Sequence, residues 1–199
     1  MSSTKQFNKL IFLGNVLILF SLIGFGILFY PIAQLYLFPP EIPKSAVNTQ
    51  EYSLFIPKIG AYSSIIPGIN PWNQTEYMKA LKKGVAQAEG TVTPDKSGSI
   101  YIFAHSSGNP FEINRYNTVF YRLSELEQND EIYIRYEGQE YKYVVSEKKE
   151  VWPDQVEYLE DALDSKKDQL ILQTCTPTGT SLKRLLVFAK PTGKFSSDN

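Results

Sequence analysis

The chain of 199 residues carries 20 basic and 21 acidic side chains, and this formal net charge of −1 gives no basis for binding nucleic acid or a bulk anionic surface. Hydrophobic residues make up 43% of the sequence, with 13 tyrosines and 12 phenylalanines, which excludes intrinsic disorder and favours one globular domain plus an appendage. The sequence contains one cysteine and one histidine, which rules out an internal disulfide.

The first segment is a charge-free apolar run over residues 10–40. Its core, residues 10–29, is apolar apart from single polar interruptions at Asn15 and Ser21. An α-helix of that length spans the roughly 30 Å of hydrocarbon in a bilayer. The sequence therefore predicts a transmembrane signal anchor over residues 10–31.

The residues that flank this run set its predicted orientation. Lys5 and Lys9 precede it, whereas Glu41 is the first charged residue after it. Because basic residues favour the cytoplasmic side, we expect a cytoplasmic tail over residues 1–9 and an extracellular remainder at the cell membrane. The alternative, a cleaved secretory signal, would have an apolar region of about 7–15 residues and a small-residue cleavage site. With either an anchor or a cleaved signal, the rest of the chain would be exported.

The exported part begins with a proline-rich polar linker over residues 32–50 and continues with short apolar segments separated by turn residues. Predicted strands cover residues 52–56, 63–66, 99–104, 131–136, 140–145, 170–172 and 185–189. Gly138-Gln139 is predicted to turn two of them into a hairpin. The pattern indicates an all-β domain, a barrel or a sandwich, over residues 51–191, followed by a polar tail over residues 192–199.

One or two short helices accompany the strands. Apolar residues at every fourth position predict a helix over residues 75–85, with Asn73 as its N-cap and Glu76 three residues further on. A second short helix is predicted over residues 156–163.

Three chemically distinctive side chains fall at strand ends, where loops expose reactive groups on a rigid scaffold. His105 and Cys175 each end an apolar strand, and Arg184 opens the strand after Cys175. If the first two strands run parallel and side by side, all three side chains reach the same rim. A thiol nucleophile, an imidazole that exchanges protons and a guanidinium beside the developing oxyanion suffice for acyl transfer. The pattern makes these three candidate catalytic residues, and no cofactor is expected.

Each of these residues also has an ordinary structural interpretation. A lone cysteine in an apolar strand is often a buried filler, a lone histidine is often a surface or satisfied core residue, and an arginine at a strand start is often solvated. One histidine and one cysteine do not make a zinc site, and scattered carboxylates give no calcium loop, so no metal is expected.

The sequence around the three residues resembles the signature of the sortase family. Residues 170–187 form an apolar strand that ends in Thr174-Cys175, followed by a loop, Arg184 and a second apolar strand. Other segments resemble the family in the same chain order: Ile56-Pro-Lys-Ile-Gly60, Gly84-Val85 through Gly90-Thr91, Ile102-Phe-Ala-His105, and Phe120, Leu123, Leu126 and Asp130-Glu-Ile-Tyr-Ile134. The resemblance covers about residues 51–191.

The resemblance implies an eight-stranded β-barrel and a membrane-anchored cysteine transpeptidase. In it Cys175 is the nucleophile, His105 the general acid and base, and Arg184 the group that stabilises the oxyanion or the substrate. Sortases cleave a sorting signal like Leu-Pro-X-Thr-Gly between Thr and Gly, hold the acyl group as a thioester and pass it to an amine. The implied partners are surface proteins that carry such a signal and an amine acceptor, either a cell-wall precursor or a pilin lysine.

A few positions depart from the family pattern. Asp95 and Ser99 stand where relatives often carry Gly and Asn, and Asn129 replaces a usual Gly, which its tolerance of left-handed geometry permits. The loop over residues 176–183 resembles the pilus-type or related enzymes more than the wall-anchoring type with a calcium site. Asn70-Pro-Trp72 lies too far along the chain to match the lid of the pilus enzymes and is interpreted as a turn. The subclass is left open.

Two other functions stay open from the sequence. A thiol peptidase would form the same acyl-enzyme and resolve it with water, and a non-catalytic membrane-tethered barrel would only capture peptides. The intact His105, Cys175 and Arg184 disfavour the inert module. The choice between amine and water is not encoded in these residues.

Overall fold

The computed structural model describes residues 2–37, 52–106, 119–164, 167–178 and 180–195. The chain divides into two units, Met1–Pro39 and Pro40–Asn199. Most of the predicted linker and the last four residues of the predicted tail lie outside the described residues.

The first unit contains helix α1, Ser2–Leu37, which extends past the predicted anchor into the start of the predicted linker. Its segment Asn8–Tyr30 has 23 residues and a mean hydropathy of 2.5. Because each helical residue rises about 1.5 Å, this segment is long and apolar enough to cross a bilayer.

In the described part of the second unit, eight strands form a closed barrel in the order β1-β2-β3-β4-β7-β8-β6-β5. This confirms the predicted eight-stranded barrel and decides between barrel and sandwich. The strands are β1 (Ser53–Ile56), β2 (Ala61–Ile69), β3 (Val85–Ala88), β4 (Ser99–Phe103), β5 (Glu131–Tyr136), β6 (Gln139–Val151), β7 (Gln169–Thr176) and β8 (Lys183–Phe195).

Two short α-helices lie outside the barrel strands, α2 (Gln74–Ala80) and α3 (Glu157–Asp164), with single 3-10 turns at Pro57–Ile59 and Leu123–Glu125. The cap of α2 is the predicted one, because Oδ1 of Asn73 accepts a hydrogen bond from the backbone N–H of Glu76 at 3.2 Å.

The predicted helix over residues 75–85 is too long, and strand β3 was not predicted. The helix ends at Ala80, and Val85 begins a strand that pairs in parallel with β2. Gly84 explains the change, since a Cβ there would meet the backbone oxygen of Ser64 at 2.2 Å. The backbone of Gly84 therefore packs directly against β2, and the backbone N–H of Val85 then donates to Oγ of Ser63 at 3.2 Å.

The hairpin between β5 and β6 turns one residue earlier than predicted. Glu137 and Gly138 have φ values of 50° and 75°, and Tyr136 pairs with Gln139. Two consecutive positive φ values are the mark of the two-residue hairpin turn whose twist matches antiparallel strands. The left-handed conformation expected at Asn129 is present, with φ 74°.

The barrel interior is packed with aliphatic side chains from alternate positions of its strands. The most deeply buried include Leu54, Ile56, Ile100, Ile102, Ile132, Ile134, Leu170 and Leu172. Burying such side chains stabilises the fold by about 1.5–3 kcal/mol each, which makes the barrel a rigid frame for the loops at its ends.

Candidate active site

Cys175 and Arg184 face each other across two neighbouring strands. β7 and β8 are antiparallel, and their register pairs Cys175 directly with Arg184. Directly opposed residues have their Cβ atoms about 4.5–5.5 Å apart on the same face of the sheet. The guanidinium therefore belongs to the immediate surroundings of the thiol, which is free and half-buried.

His105 is brought to the same rim by the strand on the other side of β7. β4 and β7 run parallel, and their pairing ends at Phe103 with Gln173. Two hydrogen bonds continue the alignment beyond β4. The backbone N–H of Ala104 donates to the oxygen of Gln173 at 3.1 Å, and Oγ1 of Thr174 donates to the oxygen of Ala104 at 3.0 Å.

The guanidinium of Arg184 is oriented by the loop between β7 and β8. Its Nη1 donates to the backbone oxygens of Ser181 at 3.1 Å and of Lys183 at 3.2 Å. Lys183 in turn pairs with Glu150 at 3.2 Å. This ion pair is partly exposed and contributes little stability, but together these contacts define where the guanidinium lies.

A cleft of about 220 Å³ joins the three side chains. Most of the residues that line it are apolar or aromatic, as in typical ligand-binding clefts. The lining includes His105, Cys175, Arg184, Tyr77, Leu81, Tyr101, Phe103, Leu159, Gln173 and Leu186.

A larger depression, of about 620 Å³, lies elsewhere on the domain and is lined by charged residues that include Glu147, Lys149 and Asp161. It contains none of the three predicted residues. Of these two depressions, the smaller cleft is the candidate site, because it combines a thiol with a proton-exchanging group and a cation.

Burial lowers the pKa of His105 below its ordinary value. Removing the imidazole from water disfavours its charged form, so the neutral ring is the resting state near neutral pH. A neutral imidazole has a free lone pair and accepts a proton, which is the state that a general base requires.

The sequence did not identify two contributors to the cleft. The turn predicted at Asn70-Pro-Trp72 is present, with the backbone N–H of Trp72 donating to Oδ1 of Asn70 at 2.9 Å, but Pro71 and Trp72 also form a wall of the cleft. Trp72 is 59% exposed. Thr174, whose hydroxyl bonds to Ala104, is the second. A tryptophan in a polar turn was the available signal for the first, whereas the role of Thr174 depends on which strand lies beside β7.

A closed barrel that gathers a thiol, an imidazole and a guanidinium in one apolar cleft has the groups that acyl transfer through a thioester requires. The family model of the Sortase domain matches residues 54–192. This match covers more than half of the chain, and the chain therefore belongs to the sortase family.

Individual sortases resemble the chain over the same region. Sortase D of Bacillus subtilis (strain 168) is 30% identical over 140 residues, which are 69% of this chain and 61% of that protein. Sortase A from Corynebacterium diphtheriae has a TM-score of 0.59 at 30% identity, covering 74% of this chain and 63% of that one. The pilus-related Sortase C of Group B Streptococcus has a TM-score of 0.58 at 27% identity, covering 77% and 75%. The chain spans less than two thirds of the first two relatives.

Proposed function

We propose that the chain is a membrane-anchored cysteine transpeptidase that cleaves a Leu-Pro-X-Thr-Gly-like sorting signal through a thioester at Cys175. The observation that carries this proposal is the pairing of Cys175 with Arg184 in the cleft that His105 also lines. Membership of the sortase family supports a sortase-type transpeptidase function.

In the first half-reaction, Sγ of Cys175 attacks the carbonyl carbon of the signal's Thr, and the thiol proton passes to His105. Arg184 donates to the oxyanion that forms. The C–N bond then breaks, and the imidazolium returns the proton to the leaving amine. The lowered pKa of His105 fits this sequence, because the ring starts neutral and becomes a strong enough acid once protonated.

In the second half-reaction, an acceptor amine attacks the thioester carbonyl. A new C–N bond forms, the C–S bond breaks, and the proton lost by the amine returns to the thiolate through His105. The proposed acyl donors are surface proteins with the sorting signal, and the proposed acceptor is the amine of a cell-wall precursor or of a pilin lysine. Hydrolysis of the same thioester by water would make the chain a thiol peptidase.

The proposal includes the arrangement of the chain at the membrane. Residues 1–9 would be cytoplasmic, residues 10–31 would span the bilayer, and the linker over residues 32–50 would carry the catalytic domain over residues 51–191 outside the cell, followed by the tail over residues 192–199. Protease added to intact cells should then degrade the domain and leave an N-terminal fragment. Full protection of the domain would contradict this orientation.

Mass spectrometry tests the chemistry directly. The full chain in detergent micelles is incubated with a library of Leu-Pro-X-Thr-Gly-like peptides, with and without an added amine such as triglycine. We expect an adduct on Cys175 that hydroxylamine removes, and a product joined to the amine. Release as free acid in the presence of amine would favour the peptidase, and peptide binding without an adduct would favour the inert barrel.

A further inference from the structure

A polar amide lies in the apolar floor of the cleft. Gln173 is two residues before Cys175 on β7, so both side chains emerge on the same face of the sheet. Its neighbours in register are Phe103 on β4 and Leu186 on β8. An aliphatic side chain would match these neighbours, and an amide enclosed by apolar groups is costly unless its hydrogen bonds are made.

One end of this amide is held by a buried tyrosine. The hydroxyl of Tyr101, on β4, donates to Oε1 of Gln173 at 2.5 Å. Tyr101 is only 2% exposed, and its ring lines the same cleft. Because Oε1 is turned toward Tyr101, the two donors on Nε2 are directed elsewhere, and within the described part of the chain no protein group accepts from them.

Resting on the transpeptidase function proposed above, we propose that Gln173 determines substrate specificity by donating a hydrogen bond from Nε2 to an oxygen of the bound sorting peptide, and that Tyr101 positions it. Residues two apart on a strand are separated by about 7 Å. With the cleaved carbonyl at Cys175, an extended peptide then brings the residue about two positions from the cleavage point over Gln173. The oxygen belongs to a main-chain carbonyl or to a side chain at that position.

A purely structural role for the hydrogen bond between Tyr101 and Gln173 would not account for both ends of the amide. One bond to Tyr101 satisfies Oε1, but a peptide that covers the cleft floor without an acceptor would strip water from Nε2 and leave its donors unpaired. No new hydrogen bond offsets the free-energy cost of removing that water. Such a peptide therefore binds more weakly than one that places an acceptor oxygen next to Nε2. The amide therefore selects between peptides and does more than fill space.

The test is a cycle between protein and peptide variants, using the full chain in detergent micelles and following acylation of Cys175. Gln173→Met keeps the length of the side chain and removes both polar ends. The peptides are one containing Leu-Pro-Ala-Thr-Gly, two in which the carbonyl of Leu or of Pro is replaced by a thiocarbonyl, and one with Asn in place of Pro, the residue two positions before Thr.

We expect Gln173→Met to lower kcat/KM by about tenfold for the best peptide, mainly through KM, the effect of one hydrogen bond. A main-chain acceptor predicts that a thiocarbonyl slows the parent chain but not the Gln173→Met chain. A side-chain acceptor predicts that the parent acylates with the Asn peptide faster than the Gln173→Met chain does, by more than the difference seen with the Pro peptide. If neither kind of peptide change is coupled to Gln173, the proposal is wrong.

Two further variants separate positioning from folding. Tyr101→Phe should lower kcat/KM by a few fold in the parent and have no effect in the Gln173→Met background, since Tyr101 acts through the amide. An equal effect in both backgrounds would overturn the positioning role. Gln169→Met is the matched control on the same face of β7, where the amide donates to Oγ of Ser99 at 3.1 Å and does not line the cleft, and its kinetics should match the parent.

These outcomes are distinct from failure of the proposed function. A parent chain that forms no adduct with any peptide would remove the transpeptidase function and this proposal together. A parent that acylates normally, with uncoupled Gln173 variants, would overturn the specificity proposal alone.

Discussion

Strand β7 presents Leu170, Leu172 and Thr174 on one face and Gln173 and Cys175 on the other. Leu170 and Leu172 are fully buried and do not line the cleft, Thr174 is 3% exposed and reaches the cleft wall, and Gln173 and Cys175 are half-buried and line the cleft. Because a strand alternates its side chains between two environments, one residue can stabilise the fold while the next residue in the sequence contributes to the site. Substitution of Leu170 or Leu172 should change the free energy of unfolding, and substitution of Gln173 or Cys175 should change rates.

The largest effect is expected from Cys175→Ala. It removes the proposed nucleophile, so no thioester and no product should form. The side chain is half-buried and faces the cleft, and removing one sulfur atom there should leave the unfolding midpoint close to that of the parent. Mass spectrometry and thermal unfolding of the same preparation measure both quantities. Transpeptidation that survived in Cys175→Ala would disprove the proposed mechanism.

Leu172→Ala tests the contribution of the buried side of β7 to stability. Leu172 is fully buried between Ile102 and Val187, so its truncation leaves a cavity in the barrel. The free energy of unfolding should fall by about 2.7–5 kcal/mol, as for comparable buried leucines. Below the unfolding transition, the folded fraction should still acylate Cys175 at nearly the parental rate. A stable Leu172→Ala chain with a much lower rate would show that the two faces are not independent.

Arg184→Lys tests whether geometry matters at the cleft face as well as charge. A guanidinium presents a planar fork of donors, and Nη1 of Arg184 is already held by the oxygens of Ser181 and Lys183. An ammonium cannot keep these contacts and also reach an oxyanion. Loss of one preorganised donor typically costs about 10²–10³ in rate.

Single-turnover acylation at matched folded concentration measures this effect. Arg135→Lys is the control, since Arg135 lies on β5 and pairs with Glu140 at 2.9 Å, outside the cleft. It should be nearly neutral. If Arg184→Lys stayed within about threefold of the parent, Arg184 would be an ordinary solvated residue at a strand start, and the thiolate would depend on His105 alone.

The comparison also explains what could be predicted from the sequence. Strands β7 and β8 can be predicted from their long aliphatic runs. His105 and Cys175 can be predicted as candidate site residues because each lies at the end of such a strand. Strand β3 was missed because its four residues follow a helical repeat, and the close approach at Gly84 that ends the helix is a tertiary contact.

The contacts between side chains in the cleft could not be predicted from the sequence, because they too depend on tertiary structure. The direct pairing of Cys175 with Arg184 depends on strand register, which the length of the connecting loop does not fix. The bond from Tyr101 to Gln173 joins residues 72 positions apart. Such a contact can be predicted only when the parallel pairing of β4 with β7 is known.

The smallest expected effect concerns the pH dependence of stability at His105. Burial lowers the pKa of this imidazole in the folded chain, while in the unfolded chain it stays near its ordinary value of about 6.5. Between the folded and unfolded pKa values, the unfolded chain binds the proton and the folded chain does not. Stability is therefore fully present above the unfolded pKa and declines as pH falls through this window.

His105→Gln should remove this decline, and the single histidine in the sequence makes the test clean. The shifted carboxyl groups that the structure describes, Glu125, Asp130 and Glu131, have lowered pKa values and affect stability only at more acidic pH. Denaturant unfolding of the full chain in detergent, from pH 7.5 to 5.5, should show a loss in the parent that is a fraction of the Leu172→Ala effect. His105→Gln should stay flat over this range, because the neutral amide has no proton to gain. A parent curve that rose toward pH 5.5 would mean that the folded chain stabilises the imidazolium, and His105 would then begin the reaction as an acid and not as a base.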